Sequence, residues 1–444
     1  MLYTRSIYWF KRDLRVHDNR ALAKTYEASD ELAGVYVLDK KLVGDLSSNS
    51  LYLSFLINAL GSLKGEVNVS LFRGDVGEVF DDILSRYKVG AIYTAVPLSW
   101  TEKSMADSVR AVCSRHGVKY CEILDNVLST AFYMHPLTNF TAYYMSWLKS
   151  VDASMIPAVP RKKFLGIGGL ELSEVASRLG AKPLDLEHTR VEWGRTRLSS
   201  FKFDKYGELR DYPYIDGVSR LSHFINQGVL SVREVYSKAA RCSQEYTRQL
   251  AWREYYLALW RNYPWINELE LKEYMRGFEW EDNKYYIECS TEGKTGYPII
   301  DAGIRQLMRE GWIHNRVRLI AANFLVKDLH VNWRAGAAFF KERLLDYDEV
   351  LNAGNWQWAA SAGVDPLPIR LFNPIKQAKK YDPMCLYIKK YIPELEGVDC
   401  RALQDPLSYR VEGYYEPIVD HHEAAKKFSE YVKKRIAELR AKKL

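Results

Sequence analysis

Short apolar runs alternate with helical patterns in the first 128 residues. Such alternation predicts a parallel sheet covered by helices on both faces, a doubly wound, Rossmann-like α/β domain. The predicted strands cover residues 7–10, 32–38, 67–72, 91–95 and 118–123, and predicted helices include residues 51–63 and 76–86. No G-x-G-x-x-G follows the first strand, so we do not expect a pyrophosphate on that turn.

The pattern changes twice further along the chain. Between 129 and 202 prolines and glycines interrupt it, including Pro157, Pro160 and Gly166, which predicts a partly helical connector. From 203 to 444 apolar residues recur at helical spacing, and the predicted helices include residues 246–260, 297–309, 315–329, 333–345 and 422–444. The chain is therefore predicted to have an α/β domain at 1–128, a connector at 129–202 and an all-α domain at 203–444.

Composition and charge narrow the class of protein. The chain has 444 residues and a net charge of +7, and its pI of about 8.8 is only mildly basic for a nucleic-acid-binding protein. It shows neither a secretory segment at the start nor an apolar run long enough for a bilayer, so we expect a cytoplasmic protein. The six cysteines are scattered and lack metal-ligand spacing, which predicts reduced, mostly buried thiols and no metal site.

Residues 346–365 match neither a typical core helix nor a typical solvated loop. The stretch is too polar for a core helix and too rich in tryptophan for a solvated loop. Asp346 and Asp348, two apart, suit a turn in which a carboxylate binds a ligand or an arginine. Trp356 and Trp358 should project in different directions. From spacing alone, helix capping and core packing are the more common roles, and a calcium loop is excluded because its third acidic position and central glycine are missing.

The same stretch resembles the flavin-binding signature of the photolyase/cryptochrome family. The match runs through Asn352-Ala-Gly-Asn-Trp-Gln-Trp-Ala-Ala-Ser-Ala-Gly363 with Asp365, and continues in Arg370-Leu-Phe-Asn-Pro374. Near the N-terminus, Trp9-Phe-Lys-Arg-Asp-Leu-Arg-Val-His-Asp18 resembles the opening of the family's antenna domain. Within the family, the chain is most similar to class I cyclobutane pyrimidine dimer (CPD) photolyases.

The resemblance implies a set of residues that bind FAD. The segment 217–222 resembles the pyrophosphate-binding segment, although Val218 replaces the usual threonine, and from its chemistry alone a plain helix cap is the more common role. Arg318 is implied to pair with Asp346 below the flavin, Asp348 to contact its ribityl chain, and Asn352 to lie opposite flavin N5. The implied FAD-binding residues are Tyr206, Val218, Ser219, Arg220, Leu221, Ser222, Arg253, Asn315, Arg318, Asp346, Tyr347, Asp348 and Asn352.

A second set is implied to contact DNA or the lesion. Trp252 matches the ring that packs against the damaged bases, while Gln249 departs from the glutamate usual in CPD photolyases and keeps its hydrogen bonding without the charge. Asn315 and Leu319 stand where (6-4) photolyases have histidines. The implied DNA- and lesion-binding residues are Arg210, Gln249, Trp252, Arg253, Asn315, Leu319, Trp358 and Gln377.

The reaction implied is light-dependent CPD repair by a deoxyribodipyrimidine photo-lyase, a carbon–carbon lyase. An electron from photoexcited reduced FAD would split a dimer flipped out of the duplex, as enzymes acting on bases generally require. Trp356, Trp333 and Trp280 match an electron-transfer chain to the surface. Alternatives are a cryptochrome-type photoreceptor, which Gln249 favours, a (6-4) photolyase, and a DNA-binding protein with a structural flavin.

The partners and second cofactor are less closely specified. A second chromophore is expected in the α/β domain, and Thr101-Glu102, in place of the Asn-Glu pair of folate-binding relatives, favours a deazaflavin or flavin over folate. DNA containing pyrimidine dimers is the expected partner. We expect a monomer with no obligate protein partner and no membrane association.

Overall fold

The computed structural model describes residues 3–135, 139–181 and 186–443. Its first part contains a five-stranded parallel sheet in the order β3-β2-β1-β4-β5. The strands are β1 (Tyr3–Phe10), β2 (Ser29–Asp39), β3 (Val69–Gly74), β4 (Ala91–Ala95) and β5 (Lys119–Ile123). The strand order reverses between β1 and β4, and ligands of such sheets bind at the carboxyl ends beside this point. The predicted α/β class is confirmed.

Helices cover both faces of this sheet. They are α1 (Arg20–Glu27), α2 (Lys40–Leu46), α3 (Ser50–Glu66), α4 (Val76–Arg86) and α5 (Trp100–His116). Alternate residues of β1 point to opposite faces: Ile7 and Trp9 join the core under α4 and α5, whereas Tyr8 and Phe10 join the core on the other face.

The predicted connector contains three helices and runs back across the sheet. The helices are α6 (Phe140–Lys149), α7 (Leu172–Leu179) and α8 (Val191–Ser200). Leu170 pairs with Leu71 of β3, and Gly169, with φ of 117°, lies where a Cβ would press on the Leu71 backbone. Positions 136–138 and 182–185 of this predicted segment lie outside the described residues.

The rest of the chain is helical, as predicted. Its helices are α9 (Tyr206–Leu209), α10 (Ser222–Asn226), α11 (Val232–Ala239), α12 (Gln244–Asn262), α13 (Lys284–Glu292), α14 (Pro298–Glu310), α15 (Asn315–Lys327), α16 (Trp333–Arg343), α17 (Glu349–Ala359), α18 (Pro374–Tyr381), α19 (Leu386–Tyr391), α20 (Cys400–Gln404) and α21 (His421–Lys443). Among the described residues, none of the helices combines the length and apolar character needed to cross a membrane.

Two expectations need correction. The stretch judged too polar for a core helix forms α17, because its residues pack on both sides: a Cβ on Gly354 would overlap the Tyr256 ring, and one on Gly336 would overlap Trp356. Cys385 lies in the short loop between α18 and α19, next to Cys400 at the start of α20, and the two form a disulfide. The expectation of six reduced thiols is therefore wrong for this pair.

The largest apolar core crosses the predicted domain boundaries. It joins residues of the sheet to residues of α6, α8, α10, α11 and α12. Beside it, Arg233 of α11 donates to Asp18 at 2.8 Å and to Asp125 at 2.7 Å. Asp125 also pairs with Arg15. All four side chains are buried, so charged as well as apolar contacts join the N-terminal sheet to the helical part.

Candidate functional site

A cavity of about 360 Å³ lies among the helices of the C-terminal half. Its size falls within the range of small-molecule and cofactor sites. Sixteen predicted site residues are among those lining it: Tyr206, Val218, Ser219, Arg220, Leu221, Ser222, Gln249, Trp252, Arg253, Asn315, Arg318, Leu319, Asp346, Asp348, Asn352 and Trp356. Residues from distant segments of the sequence therefore share one cavity.

The predicted pair of Arg318 and Asp346 is present at the wall of this cavity. Arg318 Nη2 lies 3.3 Å from Asp346 Oδ1, and Ser222 Oγ donates to Asp346 Oδ2 at 2.7 Å. The buried Nε of Arg318 has no hydrogen-bond partner among the described residues. It is thus a donor available to a ligand with acceptor atoms.

Asp348 has two structural roles. One carboxylate oxygen accepts the backbone N–H of Val350 and Leu351 and so caps α17. The other pairs with Arg12 Nη1 at 2.6 Å. Arg12, 336 positions earlier, also donates to Glu102 and Asn226. We did not predict Arg12 as a site residue. Only the motif at residues 9–18, in which it lies, could have indicated it, because no local pattern links Arg12 to Asp348.

Asn352 lies on α17 and faces the cavity as a neutral amide. Its Nδ2 donates to the backbone oxygen of Ala337 on α16 at 3.0 Å, which fixes the orientation of the side chain. Asn355, one turn later, also lines the cavity, and its Nδ2 donates to Leu351 O at 2.7 Å. Asn355 stands within the signature, but we assigned it no role from the sequence.

The segment before α10 holds a cation at the cavity. Arg220 has a φ of +54°, in the left-handed region that few residues other than glycine adopt. Its guanidinium pairs with Glu310 at 3.2 Å and lies 4.2 Å from the Trp312 ring centroid. Ser219 Oγ is within 2.9 Å of the Tyr246 hydroxyl. These contacts fix Arg220 where it can meet an anionic group.

One face of α12 supplies another side of the cavity. Gln249, Trp252, Arg253 and Tyr256 recur at helical spacing and all line it. Gln249 Nε2 donates to Glu245 O at 3.2 Å. Arg253 Nη1 donates to Asn126 O at 2.9 Å, and burial lowers the pKa of its guanidinium. Opposite this face, α15 contributes Asn315 and Leu319.

The other predicted site residues lie away from this lining. Tyr347 lines a second cavity instead, and its backbone oxygen accepts from Asn226 at 2.6 Å. The Arg210 guanidinium lies 5.2 Å from the Tyr206 ring centroid. Trp358 lies 5.7 Å from the Arg370 guanidinium, and Gln377 is in α18.

The predicted tryptophan chain leads away from the cavity. Trp356 lines the cavity and is 4% exposed. Trp333, at the start of α16, is buried and donates to Glu270 Oε1 at 3.0 Å. Trp280 is partly buried at the edge of the same apolar core, and the neighbouring Glu281 pairs with Val331 in an isolated β-bridge. The three rings therefore range from the cavity wall to the rim of the core.

The second cavity lies at the carboxyl ends of β1 and β2 and the starts of α5 and α17. Its lining combines apolar side chains with both charges: Phe10, Lys11, Arg12, Tyr36, Val37, Leu42, Leu46, Tyr52, Ser99, Thr101, Glu102, Met105, Gln227, Lys341, Tyr347, Asp348 and Glu349. Asp348 lines both cavities. Glu349 accepts the backbone N–H and the hydroxyl of Thr101 at 2.8 and 3.0 Å, which joins α17 to α5.

The main cavity has the donor set that a flavin dinucleotide requires. Arg220, Arg253 and Arg318 supply positively charged donors for acceptor groups of the cofactor, Asn352 and Asn355 supply amides, and Trp356 and Leu319 supply apolar surface. The residues present therefore fit FAD. Within the described parts of the chain, no three His, Cys, Asp or Glu side chains cluster so as to hold a metal ion.

Comparisons with known proteins agree with this geometry. Residues 246–434 match the family model for the FAD-binding domain of DNA photolyase, and residues 6–162 match the DNA photolyase model. The deoxyribodipyrimidine photo-lyase of Alkalihalophilus pseudofirmus is 30% identical over 96% of this chain and 97% of its own length. That of Escherichia coli is 29% identical over 95% of this chain and 97% of its own length.

Solved structures give the same result. The archaeal photolyase from Sulfolobus tokodaii, solved with two FAD molecules, has a TM-score of 0.89 at 31% identity and covers 97% of this chain and 100% of its own. A Synechocystis cryptochrome, at 21% identity and a TM-score of 0.85 over 97% of this chain and all of its own, shares the fold. With a 30% identical relative matched over nearly its whole length, the chain belongs to the DNA photolyase family.

Proposed function

We propose that this protein repairs cyclobutane pyrimidine dimers in DNA in a light-dependent reaction that uses FAD. The observation that carries the proposal is the shared cavity, in which the flavin-type donors meet Trp252, Gln249, Asn315 and Leu319. Curated relatives named deoxyribodipyrimidine photo-lyase support it. When bound and reduced, FAD supplies on illumination the electron that splits the dimer and takes it back afterwards.

The chain's own residues bind and orient the reactants. Arg220 would bind the phosphates, and Arg318, paired with Asp346, would bind the flavin. Asn352 presents an amide, which is a poor proton donor compared with a carboxylic acid, and so keeps a proton from being handed to the reduced ring. The dimer would enter the cavity between α12 and α15, with Trp252 and Leu319 against its apolar surface.

The lesion proposed is the cyclobutane dimer and not the (6-4) product. At the two positions where a (6-4) enzyme has histidines, this chain has Asn315 and Leu319, and both line the cavity. Leucine has no titratable group, and the asparagine amide neither gains nor loses a proton as an acid or base near neutral pH. The site therefore lacks the acid–base group that the (6-4) reaction requires at these positions.

The test is repair of two oligonucleotides, one carrying a cyclobutane dimer and the other a (6-4) lesion. Flavin-loaded, chemically reduced protein is given blue light or kept dark, and the products are separated by chromatography. We expect loss of the cyclobutane dimer only in the light. Repair of the (6-4) lesion would contradict the argument from Asn315 and Leu319, and repair in the dark would contradict the photochemical reaction.

A cryptochrome-type photoreceptor is the second candidate, and Gln249 is the observation that favours it. Gln249 lines the cavity but lacks the carboxylate that CPD photolyases usually have there. A photoreceptor would bind FAD and change its absorption on illumination without repairing either oligonucleotide. The same experiment therefore separates the two candidates.

We also propose that the second cavity binds an antenna chromophore. It lies where cofactors bind in doubly wound sheets, and its lining is apolar and aromatic. Its volume of about 60 Å³ is smaller than that of typical cofactor sites, so lining side chains would have to move to admit a flat ring system. Glu102 and Thr101 are already engaged by Arg12 and Glu349, which favours a flavin or deazaflavin over folate. The Sulfolobus tokodaii photolyase was solved with two FAD molecules. Extraction and mass spectrometry of bound chromophores from purified protein would identify the occupant.

A further inference from the structure

The indole of Trp252 is covered on one side by a ring from the predicted connector. Phe140, the first residue of α6, lies parallel to it, with ring centroids 3.6 Å apart and planes inclined by only 4°. Trp252 lines the main cavity, whereas Phe140 is absent from that lining and is 7% exposed. Phe140 therefore backs the face of the indole that is turned away from the cavity.

Several contacts hold Phe140 in this place. Tyr255 meets both rings edge-on, at 5.6 Å from Phe140 and 5.6 Å from Trp252. The guanidinium of Arg248, one turn before Trp252 on α12, lies 5.3 Å from the Phe140 ring centroid. Further along α6, Trp147 Nε1 donates to the buried Glu254 at 2.8 Å. The helix that carries Phe140 is thus fixed to α12 at more than one point.

This arrangement has a physical consequence for the cavity. An indole on the wall of an open cavity can rotate about its two side-chain bonds, and each orientation lost on binding a ligand costs free energy. A parallel ring packed against one face removes most of that freedom before a ligand arrives. The other face then remains as a fixed, flat, apolar surface, which is what a base needs for stacking.

We propose that Phe140 is a positioning residue that fixes the plane of Trp252 for stacking with a flipped-out base of the dimer. The inference rests on the proposed function, since it concerns the same lesion site. It adds a residue that lies outside the cavity, 112 positions before Trp252. It also gives the connector a part in lesion recognition that its sequence does not indicate.

The test compares Phe140→Leu with Tyr144→Leu in the full-length, flavin-loaded protein. Tyr144 lies one turn later on α6 and is equally buried. Its ring contacts Phe140, Trp147 and the Arg248 guanidinium but not Trp252, so Tyr144→Leu controls for the loss of a buried ring of α6 that does not cover the indole. Binding is measured for a strand with one cyclobutane dimer and for the same strand undamaged. Phe140→Tyr and Phe140→Trp, which keep an aromatic ring, test for rescue.

We expect Phe140→Leu to weaken binding of the dimer strand by about 3- to 10-fold, the value of an aromatic pair. Binding of the undamaged strand, which depends on phosphate contacts, should not change. The loss should appear in KM and not in the repair yield at saturating DNA. Phe140→Tyr or Phe140→Trp should restore the wild-type preference for the dimer strand over the undamaged strand, and Tyr144→Leu should retain that preference.

Two results would overturn the inference while leaving the proposed function intact. One is equal discrimination by Phe140→Leu, Tyr144→Leu and the wild type. The other is a loss that Phe140→Tyr and Phe140→Trp both fail to reverse. A wild-type protein without preference for the dimer strand would overturn the proposed function and this inference together. If Phe140→Leu loses its flavin, Phe140→Met, with a flexible side chain of similar volume, takes its place under the same criteria.

Discussion

At the scale of single residues, Gln249 is where this chain departs from the pattern of its proposed class. Its side chain lines the cavity and its Nε2 bonds to the Glu245 backbone. An amide hydrogen bond to a neutral ligand group is weaker than the corresponding bond to a carboxylate. The structure therefore allows Gln249 to hold a dimer, but less tightly than a glutamate would.

We predict that Gln249→Glu raises the affinity for dimer-containing DNA by about fivefold, because a charged hydrogen bond gains roughly 1 kcal/mol over a neutral one. The measurement is the ratio of dissociation constants for dimer and undamaged strands. Gln244→Glu is the control: it adds the same charge at an exposed position of α12 outside the cavity lining. Equal ratios in both variants would show that Gln249 does not contact the lesion.

A second residue, Glu254, gives a pH-dependent prediction. It is buried, accepts the backbone N–H of Leu128 and Ser129 and the indole N–H of Trp147, and burial raises its pKa to about 7. The native state therefore keeps a proton that the unfolded state has lost above about pH 4.5. The stabilisation is complete below that pH and is lost as the pH rises through about 7.

We expect the free energy of unfolding of the wild type to fall by roughly 3 kcal/mol more than that of Glu254→Gln between pH 4.5 and pH 8. Urea unfolding of both proteins across this range measures the difference. Glu245→Gln, an exposed position on the same helix, should follow the wild-type curve. Parallel curves for the wild type and Glu254→Gln would refute the raised pKa.

At the scale of secondary-structure elements, α16 and α17 pack closely because Gly336 of α16 has no side chain. A Cβ on Gly336 would overlap the ring of Trp356, so the two helices meet closely and bring Trp333 and Trp356 into one core. We propose that these rings, with Trp280, pass electrons between the surface and the flavin.

Trp333→Phe should then slow the light-driven reduction of bound oxidised FAD by an external donor several-fold or more. Phenylalanine keeps most of the packing but is much harder to oxidise. Repair by protein reduced chemically beforehand should be unchanged, since it bypasses the relay. Trp265→Phe, outside the proposed relay, is the control, and photoreduction at the wild-type rate in Trp333→Phe would exclude the relay.

The disulfide between Cys385 and Cys400 joins α19 to α20 across a separation of 15 residues. Closing a loop of this length stabilises a protein by about 3 kcal/mol through the unfolded chain. We predict that Cys400→Ser lowers the free energy of unfolding by that order under oxidising conditions, measured by urea unfolding. A reductant should bring the wild type to the same value. Cys242→Ser, at an exposed free cysteine, should have no effect.

Some helices and strands could be predicted from the sequence, and others could not. The boundaries of β4 and α4 match the prediction, because their apolar spacing is regular and Asp75 caps the start of α4. α17 was not predicted as a helix because neighbours bury it on several sides, which removes the amphipathic period. Contacts such as Arg12 with Asp348, or Phe140 with Trp252, join residues over 100 positions apart and leave no local pattern.

At the scale of the whole molecule, buried charges join the first predicted segment to the third. Arg233 of the helical part is buried between Asp18 and Asp125 of the sheet part. Removing one member of a buried ionic network leaves the others without compensation, which costs several kcal/mol. We propose that the segments at 1–128, 129–202 and 203–444 behave as one cooperative unit.

Arg233→Leu should accordingly lower the free energy of unfolding by about 3–5 kcal/mol. It should also broaden the urea transition or split it in two, as one part loosens from the other. Urea unfolding followed by both tryptophan and flavin fluorescence gives this result. Arg241→Leu, at an exposed arginine nearby, serves as the control. A single transition with unchanged midpoint in Arg233→Leu would contradict the role given to this network.

The core that crosses the segment boundaries also bears on how the chain is made in the cell. The sheet's last strand ends at Ile123, but the core it shares with later helices includes α12 residues as far along as Ala258. At a synthesis rate of about 5–20 residues per second, the nascent sheet waits on the order of ten seconds for its partner helices. During that interval the nascent chain exposes an apolar surface of the sheet. Folding of this protein in the cell should therefore depend on chaperones that bind nascent chains more than the stability of the finished protein would indicate.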